Sequence, residues 1–206
     1  MKNLRRIPVL LALASLVLAL PARAQNGRPD AEGYLRDWLV LAPFPINEDA
    51  GTSEIDRKQF SSEALPEALA GAIQQVGDHS LTWRAVAAPA FYLDFKALHP
   101  SRSNNVIAWA VAYVTAPAEL TGLTLRMNSN DQGKAYLNGR EIVKFTDPRT
   151  LDPTTEDAAA GVTLKKGVNV VVLKVINGEN DWQGSLRFLD AAGKPITTLK
   201  VATTRP

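Results

Sequence analysis

The stretch NSNDQGKAYLNGREIVKF, residues 128–145, decides the fold. Its second half alternates: Ala135 and Leu137 fall on one side, Lys134 and Tyr136 on the other, and the pattern resumes after Asn138-Gly139. Period-two alternation on both sides of an Asn-Gly pair predicts two antiparallel strands joined by a type I′ turn, because both central residues of that turn need positive φ. Its first half places Asn130, Asp131 and Gln132 in succession. That cluster reads in two ways: as loop chemistry, since Asn and Asp bond their local backbone, or as a polar ligand-binding edge.

The same pattern runs outward in both directions. VIAWAVAYVTA alternates Ile107, Trp109, Val111 and Tyr113 against a face made mostly of Ala, so both faces are expected to be covered. LTGLTLRMN alternates Leu123, Leu125 and Met127, and GVTLKKGVNVVVLKVIN holds two strands around a Lys-Gly turn. WQGSLRFLD and ITTLKV are two more, joined across AAGKP, and LTWRAVAA is a short strand nearer the N-terminus. Closely spaced short strands with turn signals between them predict an all-β, antiparallel β-sandwich with at most one or two short helices. Residues 35–41 suggest a strand ended by Pro43 and Pro45, which lack an amide donor. Residues 47–60 read as acidic and irregular, and residues 67–75 carry weak helical character with Gly77 as a stop.

At the N-terminus, Lys2, Arg5 and Arg6 precede an uncharged apolar run over residues 7–20, followed by Ala22-Arg23-Ala24. That is the layout of a secretory signal peptide, residues 1–24, and the run is short for the ~20 residues of a spanning helix. Residues 25–33 read as a flexible lead-in and 34–206 as one sandwich domain. The leader holds four of the 23 Lys and Arg and none of the 21 acids, so the remainder carries 19 against 21, a net charge of −2. Nothing electrostatic favours nucleic acid. After cleavage no membrane span is expected, and the chain is expected to be periplasmic or secreted. It contains no Cys, which excludes disulfides, thiol chemistry and a lipid-attachment cysteine.

Catalytic motifs are missing from the sequence. His79 and His99 lack metal-site spacing and read as surface residues. No GxSxG, P-loop or GxGxxG occurs, and acid pairs such as Glu156-Asp157 read first as solvated loop acids. The chain is therefore expected not to be an enzyme.

Residues 123–201 resemble bacterial modules of the galactose-binding-domain-like β-sandwich superfamily. The likeness rests on a polar Asp turn (Asp131, Gly133) and the YLNG hairpin (Tyr136, Gly139). It extends to the LKKGVN turn before a Val-rich strand and to a Trp ahead of an LR strand (Trp182, Arg187). The segment DWLVLAPFP resembles the opening strand of such modules, with Ala42 where Gly is usual. The resemblance implies a jelly-roll sandwich and a non-catalytic module that accompanies secreted glycoside hydrolases, peptidases or surface proteins and binds carbohydrate. It also raises a structural calcium, with Asp131, Asp147, Asp152 and Asp157 as oxygen donors. No other cofactor is expected.

Sugar recognition needs aromatic faces and hydrogen-bonding side chains. The candidate ligand-binding residues are Asn130, Asp131 and Gln132 on one connection, Arg149 and Asp157 on a second that also holds Asp152, and Asn180 and Trp182 on a third that also holds Asn177 and Asp181. They form a site only if the three connections share one end of the sandwich. Each has a structural reading beside it: Arg149 pairing with Asp131 or Asp157 to pin a loop, and Trp182 packing in the core. Trp38 and Trp109 read as core, Trp83 as either. A sugar binder should expose Trp182 or Trp83 beside Asn130–Gln132. The alternative to a carbohydrate binder is a structural or protein-interaction accessory subunit of an envelope or secreted complex, which should expose an apolar patch. A third reading is a small glycoside hydrolase using loop carboxylates.

Overall fold

Eleven residues of one strand, Val106–Ala116, organise the computed structural model, which describes residues 26–206. Val106, Ala108, Ala110, Ala112 and Val114 face one hydrophobic core, and Ile107, Trp109, Val111 and Tyr113 face another. Both faces are covered, as the two apolar sides of the sequence require. The signal-peptide segment lies outside the described residues.

In chain order the strands are β1 (Asn26–Gly27), β2 (Asp37–Pro45), β3 (Ile73–Val76), β4 (His79–Thr82), β5 (Arg84–Ala87), β6 (Leu93–Asp94), β7 (Val106–Ala116), β8 (Leu120–Asn130), β9 (Gln132–Leu137), β10 (Arg140–Phe145), β11 (Asp157–Leu164), β12 (Gly167–Asn177), β13 (Gln183–Leu189) and β14 (Lys200–Ala202). One sheet runs β1-β14-β7-β12-β9-β10, with β2 on the remaining length of β7 and β5 beyond it. A second runs β11-β8-β13-β6, and β3-β4 form a separate pair. All pairings are antiparallel. The two larger sheets enclose the first core, which holds Trp38, Phe95, Leu125, Met127, Leu173, Leu186 and Phe188. This is the antiparallel sandwich the sequence predicts, with one single-turn α-helix, α1 (Phe95–Leu98), capped by Asp94 Oδ1 accepting from Ala97 N at 2.9 Å.

The second core lies on the outer face of the larger sheet beneath a strap, residues 46–83. Ile55, Phe60, Val76 and Trp83 of the strap pack on Leu39, Leu41, Trp109, Tyr113 and Val172 of the sheet. The strap departs from the sequence reading in three places. Residues 47–60, read as irregular, include a 3-10 helix, Glu48–Ile55. Residues 67–75, read as a weak helix, form turns and then β3: Gly71 takes φ +85°, its N–H bonds Trp83 O, and Trp83 N–H bonds Ala72 O. Pairing to the Trp83 backbone overrides a helix propensity that no amphipathic stripe supports. LTWRAVAA is not one strand but β4 and β5, broken where Trp83 turns into the core. Pro43 does not end β2; it falls in a register shift between Leu41 and Phe44, where no ladder amide is required. Within the expected lead-in, Asn26 and Gly27 pair with Ala202 and Val201, and Asp30 bonds Arg36 at 3.0 Å.

The Asn138-Gly139 turn has φ +51° and +85°, as a type I′ hairpin demands. Asn138 does more than turn the chain: its amide donates to Asn169 Oδ1 and accepts from Val170 N, both at 2.9 Å. Asn138→Ala is expected to lower stability by about 2–3 kcal/mol in urea melts, combining αL strain with two lost bonds. Asn138→Gly should recover the strain and leave only the lost bonds. Equal losses in the two variants would show that the positive φ carries no cost.

Candidate ligand-binding site

The three polar connections do share one end of the sandwich. The β8–β9 turn brings Asn130 and Asp131 against the β12–β13 connection: Asp131 N–H bonds Ile176 O at 3.0 Å, and Asp131 Oδ2 accepts from Gly178 N at 2.9 Å. With its nitrogen turned inward, the Asn130 amide donates to Asp181 O at 3.0 Å and Arg149 O at 3.1 Å, touching both other connections. Arg149 pins the β10–β11 loop. Its fork meets Asp157 Oδ2 at 2.5 Å and Oδ1 at 3.2 Å, its Nε and Nη2 reach Ser129 O and Oγ at 3.0 Å each, and its plane lies 3.6 Å from the Phe145 ring centre. Of the two partners considered for Arg149, Asp157 is the one it pairs with.

A cleft of about 250 Å³ opens at this end, lined by Asp131, Gln132, Ile176, Asn177 and Gly178, with Pro148 at one side and Asn105 at another. The strap supplies its remaining wall through Ile46, Asn47, Glu48 and Ala50. Two amide oxygens belonging to cleft residues, Gln132 Oε1 and Asn177 Oδ1, are buried without a hydrogen-bond partner. Buried acceptors are ordinarily paired, so these two oxygens are unsatisfied hydrogen-bonding capacity among the residues of one cleft. Asn177 also donates to Ser103 O at 2.5 Å.

Not every candidate belongs to the cleft. Trp182 is fully buried, with its ring 5.2 Å from that of Phe95, and offers no face to a ligand. Trp83 is 2 % exposed, and Trp38 and Trp109 are core as read. The stacking platform expected of a sugar site is therefore not supplied by Trp182 or Trp83. The ring of Trp182 closes the core because β13 begins one residue later and its neighbour Phe95 opens α1 on the same layer. Asn180 is an exposed turn residue at φ +69°, a conformation that Asn tolerates. Arg149 and Asp157 position the cleft's surroundings and do not line it.

Three of the acids considered for catalysis or calcium, Glu156, Asp152 and Asp157, are committed to other partners. Glu156 accepts from Arg187 Nη2 at 2.5 Å and from Tyr34 Oη at 2.9 Å, and burial together with that carboxylate pushes the Tyr34 phenol up to about 12. Asp152 accepts from Thr154 N and Oγ1 at 2.8 Å, an Asx turn. Among the described residues no group of three or more His, Asp or Glu stands where it could hold a metal ion. His79 pairs with Asp78 at 2.8 Å, while His99 is partly buried, which holds its imidazole below the usual value.

Behind the cleft lies a polar cluster that periodicity did not single out. Lys174 is fully buried in the middle of β12, among valines. Its Nζ donates to Glu54 O (3.1 Å), Ile55 O (3.4 Å), Arg57 O (2.8 Å) and Glu63 Oε1 (3.1 Å). Glu63, 1 % exposed, also accepts from Gln59 N at 3.0 Å and Tyr136 Oη at 3.2 Å. Burial pulls the Lys174 ammonium down and, with Glu63, pushes the Tyr136 phenol up. The one legible signal was a lysine interrupting VVVLKVIN, since a charge inside a strand buried on both faces must be paired.

Lys134, itself buried, and the partly exposed Lys144 both hold Asp56 of the strap, at 2.5 and 2.9 Å, and keep its carboxyl down at about 2. A folded-state value below the ordinary 3.8 means that this contribution is present above about pH 4 and is lost as pH falls towards 2. The carboxyl carbon of Asp56 should titrate with a midpoint near 2, and Asp56→Asn should remove that step from the acid dependence of strap exchange. A midpoint near 4 would mean that the clasp does not form in solution.

No protein-family model matches the chain, and no curated protein matches it. Among solved structures it is similar to a β-glucuronidase from Ruminococcus gnavus, at 19 % identity and a TM-score of 0.42, over 78 % of this chain and 23 % of that one. It is also similar to the PA14 domain of the antifreeze protein MpAFP (7 %, 0.41, 91 % and 96 %). A third likeness is to a GH31 α-xylosidase from Xanthomonas citri (10 %, 0.37, 87 % and 19 %). The chain thus spans about a quarter of the glucuronidase and a fifth of the xylosidase. Among the described residues, no helix is long and apolar enough to cross a membrane.

Proposed function

We propose that this chain is a non-catalytic binding module of the galactose-binding-like type, exported to the envelope or beyond, that takes carbohydrate at the end cleft. One observation carries the reading: the buried, unpartnered oxygens of Gln132 and Asn177 beside the Asp131 carboxylate. These are acceptors, and sugar hydroxyls are donors of matching size. With Trp182 and Trp83 buried, recognition rests on hydrogen bonds rather than on stacking against these rings. The ion pairs that hold Glu156 and Asp157 support a structural role for both acids over a hydrolytic one.

The test is a glycan array probed with the protein, with and without calcium, followed by titration of any hit. Gln132→Leu keeps the side-chain volume and sacrifices no internal bond to Oε1. It should leave the melting temperature unchanged and weaken binding by about tenfold, the worth of one hydrogen bond. A folded protein that binds no glycan sinks the carbohydrate reading; undiminished binding by Gln132→Leu moves the site elsewhere.

A second reading, the protein-interaction accessory subunit, is favoured by Leu65, Leu69 and Ile73, which stand 47, 56 and 70 % exposed on the strap. Serine at all three positions should abolish any self-association seen in sedimentation, and a wild-type protein that is monomeric at all concentrations counts against a second copy as the partner.

A further inference from the structure

The strap has two roles that meet at one side chain. Its first turn, through Ile46, Asn47, Glu48 and Ala50, is a wall of the end cleft. The residues that follow present the carbonyls of Glu54, Ile55 and Arg57 to Lys174 Nζ. Lys174 stands on β12 two residues before Ile176 and three before Asn177, both of which line the cleft. A single ammonium therefore ties the wall to the strand that forms the floor.

Packing alone does not call for a lysine there. Val170, Val172 and Ile176 occupy the same face of β12 and pack in the second core. A buried ion pair is commonly no more stable than apolar residues of the same volume, so a buried pair is better explained by the geometry it imposes. An ammonium has three donors, and here the strap carbonyls and Glu63 take them all. A methionine would fill the space and leave the carbonyls of Glu54 and Ile55, at the end of the 3-10 helix, and of Arg57 just beyond it without the lysine donor.

We propose that Lys174 is a positioning residue for the end cleft: by seating the strap it sets the cleft wall, and its removal frees the strap and deforms the cleft while the sandwich stays folded. The proposal rests on the cleft being the ligand site, but two of its readouts do not need a ligand. Across the strap two further contacts act in parallel with Lys174, the Lys134–Asp56 and Lys144–Asp56 pairs, and both are partly exposed and weaker.

The experiment compares wild type, Lys174→Met, Lys174→Arg and the double variant Lys174→Met/Glu63→Gln by amide hydrogen exchange and by the side-chain amide signals of Gln132 and Asn177. In Lys174→Met, amides of residues 48–63 should exchange about 100-fold faster, while those of β7, β8 and β13 keep their protection. The Gln132 and Asn177 signals should shift. Lys174→Arg, which keeps a charged donor, should stay nearer wild type. The double variant removes the stranded carboxylate but does not restore the grip on the strap carbonyls, and its strap should still exchange fast.

Three exchange results would overturn the proposal. The strap could stay protected in Lys174→Met. The sandwich strands could lose protection in step with the strap, which would make Lys174 a general core residue. Or protection could return in the double variant, which would lay the effect on the buried charge alone. A glycan that binds wild type should bind Lys174→Met at least tenfold more weakly, and equal binding with a freed strap also overturns the proposal. If wild type binds no glycan, the carbohydrate reading fails by itself, and exchange and the amide signals still decide the role of Lys174.

Discussion

Trp182→Ala is expected to destabilise the protein by about 3–5 kcal/mol, the range for removing a fully buried aromatic side chain. For a chain of this size that corresponds to a melting temperature lower by about 10 °C. The mechanism is local and double. The indole fills the sandwich core against Phe95, at 5.2 Å between ring centres, and the Trp182 carbonyl accepts from Phe95 N at 2.9 Å. Deleting the ring opens a cavity at the point where α1 docks on β13, and the lining of a cavity loses its dispersion contacts outright. The indole Nε1 is buried without a partner, so Trp182→Phe forfeits volume but no hydrogen bond and should cost much less, about 1–2 kcal/mol. Urea and thermal melts measure both. If the residue served a ligand by stacking, alanine would abolish binding and leave stability near wild type. The buried ring predicts the reverse: a less stable protein that still binds wherever it is folded.

The contrast between Trp182 and the hairpin explains what the sequence could tell. Asn138-Gly139 is set by local conformation, since positive φ at two adjacent residues is nearly a signature of one turn, and the structure has it. The strands from β7 onward were legible because each alternates over several residues. Trp182 has no such guide. It sits one residue ahead of β13, outside the period, and only the tertiary layer decides whether it points in or out. The strap was misread for a related reason. Its residues cover a sheet face one at a time, with Ile55, Phe60, Val76 and Trp83 buried at irregular intervals, so no helical or strand period marks them. The site divides the same way. That Asn130, Asp131 and Arg149 gather at one end followed from topology and could be stated as a condition. Asn177, read on the third connection under the same condition, does line the cleft with Asp131, but Ile46 could not be foreseen there, because it belongs to a segment more than a hundred residues before Asn177. Lys174 was visible as a charge in a valine run, but its partners lie more than a hundred residues upstream in the strap.

Arg149→Met should cost about 3 kcal/mol and, unlike the tryptophan change, should also weaken any ligand of the end cleft by tenfold or more. Arg149 connects three elements: it bonds Ser129 of β8 twice, forks onto Asp157 of β11, and stacks on Phe145 of β10. Methionine fills part of the volume, leaves the Asp157 carboxylate without its arginine and takes away the donor that Arg149 gives Ser129 O. The side chains of Arg149 and Asp157 are 13 and 20 % exposed, so water reaches the orphaned carboxylate in part, and the low end of the 3–5 kcal/mol range for a broken buried pair applies. Arg149→Lys keeps the charge but neither the fork nor the stack, and it should recover less than half of the loss. Arg149→Met/Asp157→Leu removes the stranded charge and should recover most of the stability, with a coupling between the sites that a double-mutant cycle reads directly. Binding should not recover with it. The Arg149 carbonyl holds the Asn130 amide, and Asn130 leads into Asp131 and Gln132, so the cleft depends on where the loop lies and not on how stable the sandwich is. A double variant that regains both stability and affinity would place Arg149 among residues that merely hold the fold; one that regains stability alone ties the loop to the site.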